Sequence, residues 1–116
     1  MEYYNIGDVQ TIKVEATNLH SFVCYGSIVQ TIRVEAAKLH SFVCGVTGLR
    51  NVNLIGCAGI RNLSFSTACL AGQWFEDLIP KLPLLESLKL DCCYGVKDIK
   101  IRNQQIKYLD LNCRVD

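Results

Sequence analysis

VQTIKVEATNLHSFVC (residues 9–24) returns twenty residues later as VQTIRVEAAKLHSFVC (residues 29–44), with 13 of 16 positions identical. A segment that copies itself at a fixed offset is one structural unit used repeatedly, and neighbouring copies are expected to stack. Each copy contains the pattern L-x-x-L-x-L twice, with apolar residues at the three marked positions. Moving that frame outward finds it nine times: Val9-Ile12-Val14, Leu19-Phe22-Cys24, Val29-Ile32-Val34, Leu39-Phe42-Cys44, Leu49-Val52-Leu54, Ile60-Leu63-Phe65, Leu85-Leu88-Leu90, Val96-Ile99-Ile101 and Ile106-Leu109-Leu111. All 27 frame positions are apolar, in a chain of which half the residues are. The frames start at intervals of 10, 10, 10, 10, 11, 25, 11 and 10 residues. Ten residues are half the period, so a coil is expected to carry a short strand on each of its two sides.

The interval of 25 holds something else. Within it Leu70, Trp74, Phe75, Leu78, Ile79 and Leu82 fall at i, i+4, i+5, i+8, i+9 and i+12, the apolar stripe of a helix. Pro80 has no amide hydrogen to donate and crowds the preceding turn, which predicts a helix end near Ile79. Ala71 and Gly72 stand where a capping Ser, Thr or Asp would satisfy the first amides, so the helix start is expected to fray.

The frame and its period resemble leucine-rich repeats, in which helices lie on the outer, convex side. The strands flanking the helix, at Leu63 and Leu88, are then both on the inner, concave side, and alternation assigns the rest. Concave strands are expected to centre on Phe22, Phe42, Leu63, Leu88 and Leu109, and convex ones on Ile12, Ile32, Val52 and Ile99. Cys57 argues the other way, because the ninth frame position of an inner strand often holds Asn or Cys; the helix outweighs it. The expectation is a short α/β leucine-rich-repeat solenoid with parallel strands on concave and convex sides and one convex helix. Residues 1–8 form a tail and residues 9–116 a partial, uncapped solenoid.

Three segments, VEATNLHSFVC (residues 14–24), VEAAKLHSFVC (residues 34–44) and QWFEDLIPKLPLLESLKLDCCYGVKDIKI (residues 73–101), resemble plant F-box/leucine-rich-repeat proteins of the FBD type. In that family an F-box binds the Skp-type adaptor of a cullin ubiquitin ligase, and the repeats select the substrate. The likeness implies the repeat portion alone, since eight residues precede the first frame and no FBD segment follows residue 116. What it implies is a non-catalytic protein-binding module whose partner is a ubiquitination substrate. The alternative is a truncated fragment with no independent function.

Composition sets the outer limits. The 116 residues carry 12 basic and 11 acidic side chains, a net charge of +1, which gives no electrostatic footprint for nucleic acid or an anionic membrane. No apolar run approaches the ~18–20 residues of a membrane span, and residues 1–8 contain no secretory leader. Seven cysteines, an odd and scattered number, fit a reducing cytoplasmic or nuclear compartment better than a disulfide framework. Most are expected to behave as small buried hydrophobes. Phosphate-binding, zinc-protease and nucleophile-elbow motifs are missing, so no enzyme activity and no cofactor is expected. His20 and His40 occupy equivalent places on neighbouring strands, but a zinc site needs three or four convergent ligands, and no metal is expected.

The concave surface remains. The second, third, fifth and seventh frame positions should face solvent on five strands, giving about 20 residues against ~20–30 for a standard interface. At the N-terminal end these are His20, Ser21, Val23 and Tyr25, then His40, Ser41 and Val43. At the C-terminal end they are charged: Arg61, Glu86, Lys89, Asp91, Lys107, Tyr108 and Asp110. Glu86 is expected between Arg61 and Lys107 in one row, and Lys89 opposite Asp110 in another. The His/Tyr/Val end is the stronger recognition candidate because aromatic residues carry most of a typical hot spot. Uncapped terminal strands are expected to invite end-to-end self-association.

Overall fold

Frames spaced by ten residues leave room for a five-residue strand, a tight turn and a return strand, and the chain coils accordingly. The structure, a computed structural model, describes residues 2–6, 11–66, 72–91 and 106–112. Within them lie nine strands and one α-helix: β1 (Glu2–Ile6), β2 (Thr11–Glu15), β3 (Ser21–Ile28), β4 (Thr31–Glu35), β5 (Ser41–Thr47), β6 (Asn51–Ile55), β7 (Asn62–Ser66), α1 (Gly72–Leu78), β8 (Ser87–Asp91) and β9 (Tyr108–Asn112). From β1 to β7 successive strands alternate between two sheets, and β8 and β9 return to the first. One has six strands in the order β1-β3-β5-β7-β8-β9, the other three in the order β2-β4-β6. Every pairing is parallel, as a chain that always winds the same way requires. The result is an α/β solenoid of about four turns.

The expected concave strands are all in the six-stranded sheet, and those centred on Ile12, Ile32 and Val52 form the three-stranded one. The strand expected at Ile99 lies outside the described residues. The tail reading of residues 1–8 is corrected: Glu2–Ile6 pair with β3 as an additional edge strand. Sequence reasoning passed over it because Glu2 occupies the place of Phe22, which breaks the apolar frame.

Exact repetition in register stacks like on like. Phe22 pairs with Phe42 and Cys24 with Cys44, while Ile12, Ile32 and Val52 form one row of the other sheet. These rows face each other and make the core, in which Phe22, Ile32, Leu39, Phe42, Leu49 and Leu63 are buried. The rings of Phe22 and Phe42 stack at 5.1 Å, and Phe42 continues to Phe65 at 5.4 Å.

Helix α1 follows the expected stripe. Phe75 and Leu78 are buried, and Trp74 packs against the core half-exposed. Trp74 and Phe75 meet Phe65 edge-on at 5.7 and 5.6 Å. Trp74 and Leu78 share a surface cleft with Val52 and Leu54 of β6, so the helix sits beside the three-stranded sheet and continues its layer. Pro80 ends the α-helix at Leu78 and begins a single 3-10 turn, Ile79–Lys81. The helix begins at Gly72, and Leu70 and Ala71 lie outside the described residues.

One insertion explains the first eleven-residue step. The turns closing β2, β4 and β6 each have an amide donating three residues back: Leu19 to Ala16, Leu39 to Ala36 and Ile60 to Cys57. Cys57 therefore stands where Ala36 stands one coil earlier, and Gly56 is the extra residue, at φ +66°. Such a φ suits glycine and strains other residues. The Cys57 thiol donates to the carbonyls of Val34 (3.7 Å) and Ile55 (3.4 Å), filling the turn from the inside. Its place at the end of β6, in the smaller sheet, agrees with the helix-based assignment.

Candidate functional site

The face of the six-stranded sheet turned away from the core is built on a regular backbone ladder. The His20 carbonyl accepts from the amides of His40 (2.8 Å) and Ser41 (3.3 Å), and the His40 carbonyl from Arg61 (2.7 Å) and Asn62 (3.0 Å). Arg61 accepts from Glu86 (2.8 Å) and Ser87 (2.9 Å), and Glu86 from Lys107 (2.7 Å) and Tyr108 (3.0 Å). Each carbonyl thus fixes the start of the next strand, and the side chains His20, His40, Arg61, Glu86 and Lys107 form one row. Glu86 lies between Arg61 and Lys107, as expected. Lys89 is in register with Asp110, also as expected.

At the N-terminal end His20 and His40 are exposed, and their rings meet edge to face at 5.6 Å. Ser21 and Ser41 are half-buried; the Ser21 hydroxyl oxygen is buried with no hydrogen-bond partner among the described residues. Val43 is half-buried. Val23 departs from expectation: only 7% of it is exposed, because β1 continues the sheet on its far side. It contributes to the floor of the surface and not to its contacts. Tyr25 is 43% exposed. At the other end Arg61, Lys89, Lys107, Tyr108 and Asp110 are exposed, while Glu86 and Asp91 are half-buried.

Tyr25 owes its position to a residue the sequence reading did not single out. Gly45 is its partner in register, and a β-carbon built on Gly45 would stand 2.8 Å from Tyr25 Cδ1 and 2.9 Å from Cε1. The ring therefore lies across the bare backbone of Gly45, an aromatic covering a glycine on the neighbouring strand. The signal was present, since Tyr25 and Gly45 directly follow copies that are otherwise almost identical.

Behind this surface the thiols of Cys24 and Cys44 are buried side by side and hydrogen-bonded. The hydrogen bond to Cys24 and burial push the Cys44 thiol up from its ordinary range, and the same bond draws Cys24 down. Burial, with the Glu35 carboxylate adding to it, pushes the Cys57 thiol up. Cys69, Cys92, Cys93 and Cys113 lie outside the described residues. Among the described residues, no three His, Cys, Asp or Glu side chains converge as metal ligands, and no helix is long and apolar enough to cross a membrane. The chemistry this face offers is that of a surface: two imidazoles, a phenol, hydroxyls and a valine on a rigid ladder. No family model, curated protein or solved structure matches the chain.

Proposed function

We propose that the chain is a non-catalytic protein-binding solenoid of the leucine-rich-repeat type, with its partner seated on the outer face of β3 and β5. The observation that carries this reading is the contiguous set His20, His40, Tyr25 and Val43, held on backbone spaced by ladder hydrogen bonds. Amphipathic rings anchored on a rigid sheet lose little conformational freedom on binding, which is why aromatics dominate interface energetics. The charged C-terminal end instead sets Glu86 in register between Arg61 and Lys107, a row of alternating charge without an aromatic anchor.

The likeness of residues 14–24, 34–44 and 73–101 to the substrate-recognition region of F-box ubiquitin-ligase subunits supports a partner that is a ubiquitination substrate, met in the cytoplasm or nucleus. Adaptor docking is not part of the reading. Helix α1 already commits Phe75 and Leu78 to the core, and withdrawing such side chains forfeits ~1.5–3 kcal/mol each. The test is affinity capture from a host extract, followed by titration of the purified partner against the chain and its variants. His40→Ala should weaken binding about tenfold, the effect of a modest hot spot, and Lys13→Glu on the opposite sheet should leave it nearly unchanged. A larger loss from Lys13→Glu than from His40→Ala overturns the assignment.

A further inference from the structure

We propose that β9 is the seam of a two-fold homodimer, in which the β9 strands of two copies pair antiparallel and join their six-stranded sheets into one. Strand β9 is an edge of its sheet among the described residues, so its outer backbone groups have no strand partner among them. Its two core-row leucines are open as well. Leu109 stands in the row of Phe22, Phe42, Leu63 and Leu88, and Leu111 in the row of Cys24, Cys44, Phe65 and Leu90. The earlier members are at most 1% exposed, whereas Leu109 is 51% and Leu111 39% exposed.

The strand is complementary to itself. An antiparallel pair that uses all five residues of Tyr108–Asn112 must centre on Asp110. It then sets Leu109 of each copy opposite Leu111 of the other, on the core side of both. On the outer side each Tyr108 faces Asn112, and the two Asp110 residues face each other. That like-charge contact is flanked by Lys89, in register with Asp110 in each copy, so the row across the seam reads Lys89, Asp110, Asp110, Lys89.

Head-to-tail stacking is the rival geometry, and the register disfavours it. Continuing the parallel sheet with the β1 strand of a second copy would put Glu2 in the row of Leu109, because Glu2 shares the row of Phe22. A charged residue at a core-row position of an edge strand works against edge pairing. One edge is thus blocked and the other open, and a closed two-fold pair follows in place of an open filament.

Sedimentation velocity over a concentration series tests this on the full chain. The wild type should pass from monomer to dimer and no further. Leu111→Lys should hold it at monomer with its circular dichroism unchanged, and Asp110→Asn should tighten the dimer about two- to fivefold by removing a like-charge cross-strand pair. Asp110→Cys should form a disulfide-linked dimer under mild oxidation, above the wild-type background, since directly opposite residues have Cα atoms ~4.5–5.5 Å apart, within disulfide range. A monomer at every concentration, a ladder of higher oligomers, or no cross-link at position 110 overturns the proposal.

Discussion

An in-register repeat stacks each residue on its own copy, and whether that helps depends on the residue. Phe22 on Phe42 gains a stacked pair in the core; Phe42→Ala removes its centre and should cost ~3–5 kcal/mol in urea denaturation. Lys13 on Arg33 and Glu15 on Glu35 place like charges side by side on the exposed face of the smaller sheet. Arg33→Glu turns one of these into an opposite pair and should stabilise by ~0.2–1 kcal/mol, an effect that shrinks with added salt. Gly45→Ala should drive the Tyr25 ring off the strand, while the double change with Tyr25→Ala should be milder than the sum of the two, a coupling that a denaturation cycle measures. The thiols give a pH dependence. Cys44 and Cys57 are pushed up in the folded chain, so their contribution is fully present below the ordinary thiol range. It is lost as pH rises above that range, where the unfolded thiols ionise first. Stability should therefore fall above about pH 9, and Cys57→Ala should lessen the alkaline fall.

At the scale of elements, the apolar frame made the alternation of strands legible, because a period of ten that swaps sides is written in which residues are apolar. The helix was legible from Trp74, Phe75, Leu78 and Ile79, and its end from Pro80. Strand β1 was not, because backbone pairing with β3 holds it in the sheet and Glu2 conceals the frame. The eleven-residue step was visible as a number; its cause, a left-handed Gly56 ahead of the buried Cys57, was not, since backbone φ is set by the turn it completes. Gly56→Ala consequently strains the backbone although nothing stands within 4 Å of the added carbon. It should cost ~1 kcal/mol, against nearly nothing for Gly59→Ala, whose nearest neighbour would be 3.6 Å away.

On the scale of the whole molecule, the solenoid converts a sequence repeat into one continuous sheet face and two unlike edges. Most of the candidate surface was readable, since position in the frame dictates orientation; Val23 was misjudged because its burial depends on β1, a neighbour the frame did not reveal. What the partner is cannot be written in such a pattern, but where it sits can be measured. Amide hydrogen exchange of the chain alone and saturated with its captured partner tests the central claim most directly. The account predicts slowed exchange confined to residues 20–25 and 40–45, with the β2 and β4 amides of the opposite sheet unchanged. Protection centred on β2 and β4, with residues 20–25 and 40–45 unaffected, would contradict it.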